Sequence, residues 1–216
     1  MENKEFDYAK DSLEMRPWAH YLELYQAADP VEIAERTGVA YDADTKEFHL
    51  QFMNKGYYIT HPEFEIRKED ESDDSYHILL DFHKAKIFVL RFMTECRMAP
   101  AGGNYVTYRD IPDGELYFRQ FQGRCIFRLQ FGFGYKLNKF REGMEFMGGI
   151  PVNMGDVAYS FEFMKGLSMI FIFWEGDEEF QPSAQILFSD NFAQVFKAED
   201  LAVAGDISIG NLKAVV

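Results

Sequence analysis

The residues with the clearest chemical potential form an acidic run directly after the most apolar stretch of the chain. Residues 169–174 (MIFIFW) are followed at once by Glu175, Asp177, Glu178 and Glu179. Six large apolar residues are too few for a membrane helix, and they predict a strand buried on both faces and ended by a glycine-containing turn. We expect any chemistry to lie at this junction between the most apolar and the most acidic part of the chain.

A metal ion or a small cationic ligand is the first hypothesis for these carboxylates. If residues 157–163 and 168–174 pair as a hairpin, Asp156 reaches the same end of the sheet as Glu175. Magnesium and calcium need several oxygen ligands at about 2.0–2.6 Å, but the run lacks the pattern of a calcium-binding EF-hand loop. A solvated turn that keeps the end of the sheet from aggregating explains the same residues. Both interpretations stay open, and the candidate ligand-binding residues are Asp156, Glu175, Asp177, Glu178, Glu179 and Arg109.

Glu175 is predicted to differ from the other acidic residues of the turn. It directly follows Trp174, so we expect its carboxylate to be partly desolvated and paired with Arg109 or a backbone donor. Glu178 and Glu179 are expected to be mainly solvated.

Acid–base catalysis and protein interaction are the two alternative functions. A catalytic pair, such as Glu175 with Asp177 or Asp190, needs one carboxyl group desolvated so that the two pKa values separate. The sequence has no serine nucleophile elbow, no zinc-protease motif and no phosphate-binding loop. An accessory or interaction protein would instead expose a large apolar patch. The sequence assigns no cofactor, substrate or reaction.

Composition limits the partners and the compartment. The chain has 216 residues, a formal net charge of -14 and 17% aromatic residues, which predicts a folded protein that repels nucleic acid and anionic membranes. Cys96 and Cys125 lack metal-ligand spacing and are expected to be buried thiols. The charged residues 1–7 do not resemble a secretory signal. We therefore predict a cytoplasmic protein with no membrane partner.

The hydrophobic periodicity predicts an α+β fold in a single compact domain covering residues 1–216. N-terminal helices occupy about 8–38, a meander of strands about 39–67, a helical middle about 75–148, and a C-terminal sheet and helix about 155–216. The strands are expected to form one or two antiparallel sheets with helices packed on one side, because the chain lacks the alternation of strands and helices typical of a parallel sheet.

Two further details concern the C-terminal region. Ser189 and Asp190 are predicted to cap a helix. The final helical segment is predicted to start at Glu199 and to end at Gly205 or Gly210, because glycine commonly follows the last turn of a helix.

The last third of the chain also carries a recognisable pattern. It consists of Gly155-Asp156, residues 173–180 (FWEGDEEF), residues 186–188 (ILF) and Glu199-Asp200-Leu201. With these motifs the chain resembles an uncharacterised bacterial and archaeal family, domain of unknown function 3786, whose weaker features match Asp29-Pro30, Arg109 and Gly148-Gly149. The resemblance implies a prokaryotic cytoplasmic protein and supplies no activity. Some relatives carry a cysteine-rich, ferredoxin-like segment that this chain lacks, which argues against a direct redox role.

Overall fold

The strands form one antiparallel sheet. The structure is a computed structural model that describes residues 15–176 and 179–216. In this part of the chain nine strands join in the order β4-β3-β2-β7-β8-β9-β5, with β1 beside β2 and β6 beside β7. Every strand pair is antiparallel. The predicted α+β class is therefore confirmed.

The described part of the N-terminal third contains two helices and a four-stranded meander. Residues 8–14 of the predicted N-terminal helices lie outside the described residues. Asp29 caps the second helix, since its Oδ1 accepts a hydrogen bond from the Val31 amide at 2.7 Å, and Gly38 ends that helix in the left-handed conformation. Aspartate before the first turn and glycine after the last turn are common start and stop signals of a helix. The elements are α1 (Arg16–Ala27), α2 (Pro30–Thr37), β1 (Ala40–Asp42), β2 (Glu47–Phe52), β3 (Lys55–Thr60) and β4 (Ile66–Lys68).

The middle of the chain is mainly helical, as predicted. An extended backbone at Phe82 divides its first helix in two, and a five-residue π-helix, Gln122–Ile126, interrupts a later one. The elements are α3 (Ile78–Asp81), α4 (His83–Glu95), β5 (Tyr105–Thr107), α5 (Gly114–Phe121), α6 (Phe127–Phe133, directly after the π-helix) and α7 (Leu137–Phe146).

The C-terminal third supplies the centre of the sheet and the longest helix among the described residues. Its elements are β6 (Ile150–Pro151), β7 (Val157–Met164), β8 (Leu167–Trp174), β9 (Ser183–Ser189), α8 (Phe192–Val195) and α9 (Ala198–Ala214). The predicted end of the last helix at Gly205 or Gly210 is wrong, because α9 continues through both residues. A Cβ atom at Gly205 would lie 3.0 Å from Cys125 Sγ, so this glycine lets α9 approach the π-helix closely.

Helices cover one face of the sheet. Phe163, Phe173 and Phe188 lie on this face, and Phe163 contacts Phe88 of α4 with ring centroids 5.3 Å apart. Phe173 contacts Phe140 of α7 at 4.7 Å. On the opposite face, a small buried cluster is formed by Ala158, Ile170 and Ile172 with Tyr105, Val152 and Leu187.

The prediction that β8 is buried on both faces holds up to Phe173 and is wrong for Trp174. Trp174 is 42% exposed. Side chains of a strand alternate between faces, which places Trp174 on the same face as Ile170 and Ile172. It is the last residue of the strand and extends past the cluster that covers those two side chains.

Across residues 15–176 and 179–216, no helix combines the length and the apolar character needed to cross a lipid bilayer.

Candidate functional site

The hairpin of β7 and β8 brings Asp156 and Glu175 together, as predicted. Val157 pairs with Phe173, the Asp156 amide donates to the Phe173 carbonyl at 2.9 Å, and the Glu175 amide donates to Asp156 Oδ2 at 2.8 Å. The Glu175 side chain is exposed, so the prediction that its carboxylate is partly desolvated is wrong. Glu175 is the first residue after the strand and continues away from the core.

The other candidates of the acidic turn do not converge on this pair within the described residues. Arg109 forms an ion pair with Glu115 at 3.5 Å and lies over the Phe118 ring. Glu179 is exposed, whereas Asp177 and Glu178 lie outside the described residues. In the part of the chain that the structure describes, no three His, Cys, Asp or Glu side chains are grouped to hold a metal ion.

Asp190 has a different role from the predicted helix cap. Its carboxylate accepts hydrogen bonds from the amides of Gly102 at 2.8 Å and Asn104 at 3.2 Å. It therefore fixes the loop before β5. Trp174 pairs with Ser183 and Met169 pairs with Phe188, so Asp190 and Glu175 lie at opposite ends of the β8–β9 pair.

Glu175 faces positive charge from its own chain. It lines a shallow cleft with Lys136, Lys139 and Arg141, which lie at the start of α7. These three cations place positive charge in the same cleft as the Glu175 carboxylate.

A second cleft is lined by several ion-paired side chains, and we call it the arginine cleft. It has a volume of about 570 Å³ and lies among α1, α4, α9 and the π-helix. Its apolar walls come from Pro17, Tyr21, Ile87, Phe88 and Val203, and its charged lining comes from Lys84, Arg91, Arg124, Glu199 and Asp200.

Asp200 anchors one side of the arginine cleft. It lies in the first turn of α9 and is only 3% exposed. Its Oδ2 accepts a hydrogen bond from the Lys197 amide at 3.0 Å, and its Oδ1 accepts one from Arg91 Nη1. Arg91 Nε also donates to Glu95 at 3.1 Å. These bonds hold the guanidinium group of Arg91 in one orientation at the cleft wall.

Asp206 anchors the other side. It is 5% exposed and accepts hydrogen bonds from Arg124 Nη2 at 3.3 Å and from Arg128 Nη1. Lys84 Nζ lies 3.7 Å from the same carboxylate. Arg124 belongs to the π-helix, a type of element that is frequent at functional sites.

The ionisable groups around Asp200 have perturbed pKa values. Burial raises the pKa of the Asp200 carboxyl above its usual value, and the charge of Arg91 opposes that rise. Burial likewise raises the pKa of the Tyr21 hydroxyl, which Arg91 also opposes. The pKa of the Cys96 thiol is raised to about 12, mainly by burial and further by Asp200. Perturbed pKa values that cluster at a cleft are typical of functional sites.

The arginine cleft was not predicted from the sequence. Asp200 was recognised as part of a helix start, but the contributing arginines come from α4 and the π-helix, far away in sequence. One available signal was Asp206 within the otherwise apolar residues 201–209 (LAVAGDISI), because a charged side chain on a buried helix has to be paired.

The comparisons with known proteins identify the family without an activity. A family model described as "Domain of unknown function (DUF3786)" matches residues 29–211, which include both anchoring aspartates. The search of the curated proteins and the search of the solved structures each found no match. Because the family model covers most of the chain, the protein belongs to the family defined by domain of unknown function 3786.

Proposed function

We propose that the protein binds a small organic anion in the arginine cleft. The observation that carries this proposal is that two buried carboxylates, Asp200 and Asp206, hold the cleft-lining guanidinium groups of Arg91 and Arg124 in place. Binding groups that are already ordered lower the entropic cost of binding.

Both guanidinium groups have donors beyond those used in these ion pairs. Arg91 uses Nε and Nη1 for Glu95 and Asp200, whereas Arg124 uses Nε and Nη2 for Asp206. A guanidinium group carries five N–H donors in a planar fork that matches carboxylate and phosphate oxygens. The Nη2 group of Arg91 and the Nη1 group of Arg124 are therefore suited to an anionic ligand.

The lining of the cleft further favours an anion with an apolar body. Three cations and two carboxylates line it, although the whole chain has a formal charge of -14. Tyr21, Phe88 and Val203 supply apolar contacts. Ligand sites commonly combine such walls with a few well-placed polar groups.

The test is calorimetric titration with phenyl phosphate and benzoate, and with benzyl alcohol as the uncharged analogue. Arg124→Gln removes a cation that lines the cleft. Arg128→Gln removes a cation that binds the same Asp206 but does not line the cleft. We expect Arg124→Gln to weaken binding of the anions about tenfold, equal to about 1.4 kcal/mol, and Arg128→Gln to change it much less. Equal losses in both variants, or equal binding of benzyl alcohol, would contradict an anion site.

The acidic turn supports a second candidate, a divalent cation bound near Asp156 and Glu175. The juxtaposition of these two residues favours it. Melting temperatures of the wild type and Asp156→Asn, measured with and without magnesium or calcium, test it. If the cation binds there, magnesium or calcium raises the melting temperature of the wild type, and this rise is smaller in Asp156→Asn.

The cytoplasmic location and the absence of a nucleic-acid partner also belong to the proposal. Free, buried Cys96 and Cys125 are compatible with a reducing compartment. The acidic composition disfavours contact with a phosphate backbone.

A further inference from the structure

A gap in the sheet forms a second pocket, separate from the arginine cleft. On one edge of β2, β1 pairs with residues 47–49 and β7 pairs with Phe52. Leu50 and Gln51 lie between these two neighbours and have a pairing register with neither. A pocket of about 740 Å³ opens at this gap, and we call it the sheet-gap pocket.

The walls of the sheet-gap pocket are largely apolar. Leu50, Phe92 and Met164 are almost completely buried side chains of β2, α4 and β7. Val39, Met98 and Pro100 extend the apolar lining. The polar lining includes His49, Gln51, Glu162 and Lys165. Apolar walls with a few polar groups are typical of sites for small organic ligands.

A buried amide fixes two walls of this pocket. Asn191 is fully buried, and its Nδ2 donates to the carbonyl of Ala99 at 2.8 Å and to that of Gly166 at 2.9 Å. Its Oδ1 accepts a hydrogen bond from Ser189 Oγ at 2.7 Å. Ala99 and Gly166 belong to two loops that both line the pocket, and Asn191 joins these loops to each other.

A second set of hydrogen bonds fixes the segment that leads into the pocket. The guanidinium group of Arg36 donates to the carbonyls of Met93 and Cys96 at the end of α4. The Met98 amide donates to the Arg36 carbonyl at 2.9 Å. The pocket is thus formed by anchored loops before any ligand enters.

We propose that the sheet-gap pocket binds an uncharged, mainly apolar organic molecule with a polar end group. Three features support this chemistry: the apolar walls, the preformed shape, and the presence of both a carboxylate (Glu162) and an ammonium group (Lys165) in the lining. The two opposite charges do not select for either sign of ligand. The Nε2 group of Gln51 donates to Glu69 Oε2 at 3.3 Å, and its carbonyl oxygen is an acceptor suited to the hydroxyl or amide group of a neutral ligand.

The experiment uses N-phenyl-1-naphthylamine, a neutral dye whose fluorescence increases in apolar surroundings. Ala101→Trp and Ala40→Trp each place a large side chain at a position that lines the pocket. Ala27→Trp makes the same change at an exposed position of α1 that lines neither pocket. Melting curves of all three variants show which of them remain folded.

We expect saturable binding of one dye molecule per chain, with affinity at least about tenfold weaker in Ala101→Trp or Ala40→Trp than in Ala27→Trp. Decanol should displace the dye better than decanoate or decylamine. The absence of saturable binding, or the same affinity in every folded variant, would overturn the proposal. Preferential displacement by decanoate or decylamine would overturn the choice of an uncharged ligand. Loss of binding in Arg124→Gln would assign the dye to the arginine cleft and likewise overturn the proposal.

Discussion

At the scale of single residues, burial and the ion pair with Arg91 shift the pKa of Asp200 in opposite directions. Burial is the larger effect and raises the pKa of its carboxyl group. A carboxyl whose pKa is raised in the folded state contributes stability that is present at low pH and lost as pH rises through the raised pKa. The Asp200→Asn variant has no carboxyl group at this position, so its stability lacks this pH dependence.

We therefore predict that the wild type loses stability relative to Asp200→Asn as the pH rises from about 4 through the raised pKa of Asp200. Urea denaturation of both proteins over a series of pH values measures this difference. If the difference in unfolding free energy between the two proteins does not change with pH, or shifts in favour of the wild type as the pH rises, the effect of Arg91 on the pKa of Asp200 is at least as large as that of burial.

Asn191 is the polar residue that holds the sheet-gap pocket together. Asn191→Ala removes the donor shared by the carbonyls of Ala99 and Gly166. We predict a loss of about 1–3 kcal/mol in the free energy of unfolding, because buried acceptors lose their partners. The matched change Asn138→Ala, at an exposed position, should cost less than about 0.5 kcal/mol in the same denaturant melts. Similar costs at both positions would show that the amide does not hold the two loops.

At the scale of elements, the close approach of α9 to the π-helix depends on Gly205. A Cβ atom at this position would crowd Cys125 Sγ at 3.0 Å, whereas at Gly210 its nearest neighbour would be Ile78 Cδ1 at 3.9 Å. Alanine favours the helix over glycine by about 1 kcal/mol at either position.

We predict that Gly210→Ala raises the melting temperature and that Gly205→Ala lowers it, because only the second substitution forces the π-helix away from α9. A calorimetric scan of each variant measures the two effects. Stabilisation by both substitutions would contradict the role assigned to Gly205.

The end of β8 gives a second prediction at this scale. Trp174→Ala should cost about 1–2 kcal/mol, since the side chain is already partly in water. Phe173→Ala should cost about 3–5 kcal/mol, since the ring is fully buried against Phe140. Denaturant melts of the two variants compare the faces of the strand directly. Equal costs would mean that Trp174 is covered as well as Phe173.

At the scale of the whole molecule, the sequence was sufficient for the fold class and for the Asp156–Glu175 junction. Both depend on local periodicity, hairpin pairing and helix caps such as Asp29. The arginine cleft could not be predicted in the same way, because Arg91, Arg124 and Asp206 meet only when three separate helical segments pack together. The gap between β1 and β7 also depends on strand register, which hydrophobic alternation does not specify between distant strands.

The central claim is that the arginine cleft binds an organic anion, and a crystal structure of the protein with phenyl phosphate tests it most directly. We predict the phosphate group within hydrogen-bond distance, about 2.7–3.2 Å, of Arg91 and Arg124, with the phenyl ring against Tyr21 or Phe88. An empty arginine cleft at a ligand concentration that saturates the protein in solution, or a ligand bound only at another site, would contradict the claim.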